Sequence, residues 1–306
     1  MIYTLTLNPA IDYVVGVDSL NEGKINKVAR ENVYAGGKGI NVSTVLKNLN
    51  LESVALGFIA GATGRMLEDM LRIQGINTDF VVLPSGMTRI NVKLSDSKKE
   101  TEINGRGPII DEAALTCLYD KLANIGDEDI LIMSGSIPGT MPESALSDIC
   151  SFFRKRNCIA KIIVDTSSKA MLSTLEYNPV LVKPNNHELG AMFGVEITNF
   201  EDARKYALKL KDMGAKNVLV SMGSQGALLI DENGGCHRTS APTGKVINSV
   251  GAGDTTVGAF AALLASGDVI DYDMAVRYCV AAGSATAFSE GLADREMIEK
   301  IYNSMK

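Results

Sequence analysis

The sequence predicts an α/β protein in which a largely parallel sheet carries helices on both faces. Short apolar, β-branched runs alternate with helix-length amphipathic stretches, the rhythm of repeated strand–helix units. Two glycine-rich stretches, at 35–42 and 251–254, each open a helix, and in such sheets ligands bind beyond the carboxyl ends of the strands. No repeat, low-complexity segment or linker divides the 306 residues, so 1–306 reads as one domain.

The first strand is the apolar run 2–7, I-Y-T-L-T-L. Residues 12–18 and 24–34 follow as half-exposed hairpin strands outside the main sheet. A helix at 41–49 leaves the first glycine cluster, S-V-A-L-G-F-I at 53–59 reads as a buried strand, and 65–74 is amphipathic at helical spacing. A second excursion pairs 88–95 with 100–104 around the charged turn Asp96-Ser97-Lys98-Lys99. The two excursions, about 12–34 and 87–105, either join into a small β lid or stand as ordinary surface hairpins. Helices at 111–123 and 142–156 then alternate with strands at 129–133 and 161–165. A strand at 180–183, helices at 185–193 and 200–213, and a strand at 217–221 come next. Residues 254–266 read as a buried helix, and the chain from 271 on as helical.

A net charge of −6 and an isoelectric point near 5.1 argue against a general nucleic-acid binder, which needs a positive footprint. Five scattered cysteines (Cys117, Cys150, Cys158, Cys236, Cys279) form no C-x-x-C pair, which fits a reducing compartment. Only His187 and His237 are present, so a histidine relay or histidine-rich metal site is poorly supplied. The N-terminal run lacks a basic leader, and no apolar segment approaches the ~20 residues that span a membrane. A cytoplasmic protein is expected.

Four loops carry candidate chemistry. In Gly251-Ala252-Gly253-Asp254, bare backbone precedes a helix and one carboxylate follows it. Orphan N–H groups converge at a helix start and favour an anion, so a phosphate gaining charge could sit there while Asp254 takes a proton from an attacking hydroxyl. Alternatively Asp254 is a plain N-cap and the glycines form a tight turn. In Ala35-Gly36-Gly37-Lys38-Gly39-Ile40-Asn41, glycines let a ligand approach, with Lys38 and Asn41 to grip polar groups; a flexible turn is the plainer reading. In Lys183-Pro184-Asn185-Asn186-His187-Glu188, Asn185 and Glu188 share the first helical turn, where they suit a hydrated Mg²⁺, a capping box, or both. Ser221-Met222-Gly223-Ser224-Gln225-Gly226 either passes a nucleotide phosphate or forms a glycine hairpin. The G-x-x-x-x-G-K and G-x-G-x-x-G fingerprints are both absent.

In this order and spacing the four motifs resemble the phosphofructokinase-B branch of the ribokinase family of sugar kinases, nearly end to end. Residues 6–12, T-L-N-P-A-I-D, resemble the family's first strand and substrate-binding aspartate; 36–41, 183–188 and 250–254 resemble its signatures. The resemblance implies a ribokinase-like three-layer α/β/α sandwich with a β lid, ATP as donor, Mg²⁺, and phosphoryl transfer to a sugar hydroxyl. Asp254 would be the base and Gly251, Ala252 and Gly253 the anion hole. Asp12, Gly36, Gly37, Lys38 and Asn41 would hold the sugar. Lys183, Asn185, Ser221, Gly223, Gly226 and Gly253 would meet ATP, and Glu188 with Asn185 would meet the metal, through water.

Candidate cations for a phosphate on the substrate stand near the lid: Arg89, Arg106, Lys27 and Lys38. Residues 101–108 and 248–256 lean towards members acting on fructose 1-phosphate, with tagatose 6-phosphate as the alternative. A non-catalytic sugar-phosphate sensor is the rival from another class. Ser249-Val250 departs from the pattern of many members, so no monovalent-cation site is carried over. Lid strands offer edges that a second subunit could cover, so a homodimer is expected there.

Overall fold

The computed structural model describes residues 1–96 and 99–305, so Ser97 and Lys98 of the charged turn lie outside the described residues. β1 (Ile2–Thr6) lies inside the main sheet because four of its five residues are buried, as a strand covered on both faces requires. β4 (Ser53–Ala60), β9 (Ile130–Ser134), β10 (Lys161–Asp165), β11 (Leu181–Val182) and β12 (Asn217–Ser221) run parallel with it. Short β5 (Asn77–Thr78) and β6 (Val81–Leu83) add to β4. β13 (Ala227–Ile230) and β14 (Cys236–Thr239) extend the other edge antiparallel, giving the order β14-β13-β12-β11-β10-β9-β1-β4-β5.

Helices cover both faces. On one lie α3 (Glu112–Leu122), α4 (Ala145–Lys155), α5 (Ser168–Leu172), α6 (Asn186–Phe193) and α7 (Phe200–Asp212), burying Leu118, Ile149, Phe153, Leu189 and Leu210. On the other lie α1 (Lys38–Asn48), α8 (Ala252–Ala265), α9 (Tyr272–Ala287) and α10 (Arg295–Ser304), burying Leu46, Phe260, Cys279 and Ile298. α2 (Gly61–Ile73) packs Leu67 and Leu71 on Ile59 and Phe80. α1 and α8, the two helices with glycine-rich starts, touch closely: a Cβ on Gly258 would come 2.7 Å from Val45 Cγ1. All five cysteines are free, and burial pushes the Cys150 and Cys279 thiols up to about 12, which leaves them unreactive.

The two excursions form one separate sheet, β3-β2-β7-β8, from β2 (Ala10–Gly16), β3 (Arg30–Gly36), β7 (Arg89–Ser95) and β8 (Glu100–Asn104). β2 pairs antiparallel with β3 and parallel with β7. The lid reading therefore holds over the surface-hairpin one, with two corrections: β2 starts at 10, and 24–29 is not strand. Helices α1 and α2 also start before the expected 41 and 65. Their glycines mark close approach rather than loop, since a Cβ on Gly39 would stand 2.4 Å from Thr6 Oγ1 and one on Gly64 3.0 Å from Ile59 Cβ.

Candidate active site

Five parallel strands end side by side, and each delivers a polar residue at or just past its carboxyl end: Ser221 (β12), Lys183 (β11), Asp165 (β10), Ser134 (β9) and Asn8 (β1). The starts of α1 and α8 face this row. Asn41 on α1 donates from Nδ2 to Asp254 Oδ2 on α8 at 2.7 Å, joining the first and last glycine motifs across 213 residues of chain.

The start of α8 has no side-chain cap, although α3, α6, α7, α9 and α10 are each capped by Asp or Asn. The plain N-cap reading of Asp254 fails, because the N-cap is Gly251, in the left-handed region at φ 81°, where glycine is at ease. Intrahelical bonding begins with Thr255 N to Gly251 O at 2.8 Å, so the amides of Gly253 and Asp254 remain orphan donors. A Cβ on Gly253 would come 3.3 Å from Lys183 Nζ. Bare amides, a helix dipole and an ammonium thus converge on one spot, a fit for a phosphate or another anion.

Asp254 is only 6% exposed. Its burial, and then the charge of nearby Asp165, push its carboxyl up to about 6, against the opposing pull of Asn41, Lys38 and Lys183. Asp165, fully buried, bridges two of these groups: Lys38 Nζ lies 3.3 Å and Lys183 Nζ 3.4 Å from its Oδ1. Burial pulls the Lys38 ammonium down, but Asp165, Asp254 and Glu188 outweigh it and raise its pKa. The result is a compact set of two carboxyl groups and two lysine side chains.

The lid closes the other side. Asp12 accepts from Asn91 Nδ2 at 2.8 Å and pairs with Lys93 at 2.9 Å. It lies over Gly36, where a Cβ would be 2.6 Å from its carboxyl carbon. Half-buried Arg89 donates from Nε to the Asn8 carbonyl at 3.1 Å, and Asn8 Nδ2 donates to the Arg106 carbonyl at 3.2 Å, so both arginines border the end of β1. Gly37 is the uncapped start of α1. Lys27 is exposed on the β2–β3 connection, with no contact to the residues described above.

Asn185 and Glu188 form a reciprocal capping box: Asn185 Oδ1 accepts from Glu188 N at 2.7 Å, and Glu188 Oε2 accepts from Asn185 N at 2.8 Å. Among the described residues nothing donates to Glu188 Oε1, which can accept from a metal-bound water. Among the described residues no group of three or more His, Cys, Asp or Glu forms a cage. Those donors fit hydrated Mg²⁺, which keeps several waters. A bridge between Asn185 and Ser221 joins this motif to the 221–226 loop, which is also a hairpin turn: Met222 N bonds Gly226 O at 2.8 Å.

The sequence reading missed Asp165, Ser134, Asn8, Asn91 and Lys93. Asp165 had a signal, a lone carboxylate closing an apolar strand, K-I-I-V-D. Lys93 and Asn91 had only the alternation of β7, which puts them on the face of Asp12 once the β2–β7 register is known.

A family model described as pfkB family carbohydrate kinase matches residues 2–298. The chain is 41% identical to the 1-phosphofructokinase of Bacillus subtilis over 100% of this chain and 99% of that one. It is 37% identical to the D-tagatose-1-phosphate kinase of Bacillus licheniformis, with 100% and 99% covered. Among solved structures, phosphofructokinase-2 from Escherichia coli in complex with substrates and products superposes with a TM-score of 0.91 at 31% identity, covering 99% of each chain.

Proposed function

The chain belongs to the pfkB family of carbohydrate kinases, and from that premise we propose that it transfers the terminal phosphoryl group of ATP to the free primary hydroxyl of a ketohexose phosphate, fructose 1-phosphate foremost. The observation that carries this is the uncapped start of α8, with Lys183 beside it and Asp254, buried and held by Asn41, next in line.

Asp254, mostly ionised at neutral pH, takes the proton of the acceptor hydroxyl as the new O–P bond forms. A carboxylate of this strength suffices because the transition state is loose and the proton leaves late. Charge moving onto the transferred group meets the amides of Gly253 and Asp254 and the Lys183 ammonium, already oriented. Glu188 and Asn185 would hold Mg²⁺ through water, and the ion would supply neutralisation of phosphate charge. Asp12, Lys38 and Asn41 hold the sugar, Arg89 and Arg106 its phosphate, and the lid excludes water that would otherwise accept the phosphoryl group. No helix among the described residues is long and apolar enough to cross a membrane. Exposed Val33, Tyr34 and Ile103 on the outer lid strands offer a homodimer its contact.

The tagatose-named relative favours a second substrate, a tagatose phosphate. A coupled ATP-consumption assay over fructose 1-phosphate, fructose 6-phosphate and the two tagatose monophosphates tests both, with fructose 1-phosphate expected to give the highest kcat/KM. Tight sugar-phosphate binding without turnover across the panel would favour the sensor.

A further inference from the structure

Two residues outside every glycine motif hold the Asp12 carboxylate. β2 and β7 pair in parallel with Asp12 opposite Asn91, whose carboxamide donates to Asp12 Oδ1 at 2.8 Å. Two positions along the same face of β7, Lys93 reaches back to Asp12 Oδ2 at 2.9 Å. Both contacts are shielded: the side chains of Asp12 and Lys93 are 15% and 21% exposed, and Asn91 is buried. Underneath, a Cβ at position 36 would stand 2.6 Å from the Asp12 carboxyl carbon, so glycine there leaves the carboxylate its place.

We propose that Asn91 and Lys93 are positioning residues for sugar recognition, fixing Asp12 so that each of its oxygens keeps one acceptor direction for one of two neighbouring substrate hydroxyls. An ionised carboxylate accepts about four hydrogen bonds, so with one taken on each oxygen about two remain, one on each. That arrangement matches adjacent hydroxyls on a sugar ring. Lys93 has a second effect. Asp12 acts electrostatically on Arg89, and pairing it with Lys93 leaves the guanidinium for the substrate phosphate. Asn91 Oδ1 is itself buried without a partner among the described residues, so the carboxamide spends its one observed side-chain bond on Asp12.

The inference rests on the reading of Asp12 as a sugar ligand, and the experiment separates the two. Lys93→Met, Lys93→Arg, Asn91→Ala, Asp12→Asn and the Asp12→Asn/Lys93→Met double variant are compared by KM for fructose 1-phosphate, KM for ATP, kcat and thermal midpoint. Losing a hydrogen bond to a charged group predicts a rise of about 10- to 100-fold in the sugar KM for Lys93→Met, with the ATP KM within about twofold. Lys93→Arg should recover most of that loss. If Lys93 acts through Asp12, Lys93→Met adds less than about twofold in the Asp12→Asn background. Asn91→Ala should shift the same constant in the same direction, which keeps the test decisive if Lys93→Met does not fold. A sugar KM moved less than about threefold by both single variants, or a fully additive double variant, overturns the inference alone. An unchanged sugar KM in Asp12→Asn overturns the Asp12 assignment together with it.

Discussion

Replacing Asp254 with Asn keeps the shape of the side chain and the acceptor for Asn41 Nδ2 while removing one buried charge. Two consequences can be sized. Holding a carboxyl near pH 6 instead of its usual 3.8 costs about 3 kcal/mol once it is ionised. The folded-state pKa is raised, so the folded protein binds this proton more tightly than the unfolded chain. The cost is therefore absent below about pH 4, grows as pH rises through 6, and is complete above. A neutral carboxamide at this position carries no such cost. For a chain of 306 residues, 3 kcal/mol corresponds to about 5 °C in thermal midpoint. Differential scanning calorimetry at pH 4 and pH 8 should show the variant matching the parent at the lower pH and melting about 5 °C higher at the upper. Over the same change kcat should fall by about 10²–10⁴ while ATP binding, read by calorimetric titration, stays nearly intact. A variant that melts no higher at pH 8, or that keeps full turnover, refutes the buried-base reasoning.

Other outcomes follow from the same geometry. The parent's kcat/KM should fall along an acid limb centred near pH 6, where Asp254 takes up its proton, and a limb near pH 4 would contradict the burial argument. Arg106→Ala should raise the phosphosugar KM far more than the ATP KM if Arg106, whose carbonyl accepts from Asn8 at the end of β1, serves the sugar phosphate as proposed; equal effects on both remove it from that role. Glu188→Gln keeps the cap on Asn185 N but loses the carboxylate, so the Mg²⁺ concentration for half-maximal rate should rise about tenfold at unchanged melting temperature. His237 stands between Asp231 and Asp273; burial opposes its protonation, but the two carboxylates outweigh it and raise its pKa. That stabilisation is full below about pH 6.5 and fades as pH rises through the folded value, so His237→Gln should lower the melting temperature at pH 5.5 and change little at pH 9.

The parallel sheet and most helices were legible because buried strands such as β1 and β4 are near-continuous apolar runs, which sequence periodicity reports directly. Helix starts were less so: the helices were expected from 41 and 65, beyond Gly39 and Gly64, yet both glycines lie inside them and let α1 and α2 approach β1 and β4. The glycine nest and Asp254 were visible as local text. Asp165 showed only as a lone carboxylate closing a strand, because its importance lies in two lysines, 127 and 18 residues away in sequence, that meet it only after β10 and β11 pair and α1 packs on the sheet. Lys93 and Asn91 were hidden by register: a one-residue slip between β2 and β7 would turn both away from Asp12. Lys27 was proposed from its charge and its neighbourhood in sequence, and its place on an exposed connection adds no further support.

A crystal structure of the chain with a non-hydrolysable ATP analogue and fructose 1-phosphate is the most direct trial of the central placement. It should show oxygens of the terminal phosphate at about 3 Å from the amides of Gly253 and Asp254, with the free sugar hydroxyl at a similar distance from the Asp254 carboxylate. A terminal phosphate seated elsewhere, with those amides bound only to water, would contradict it.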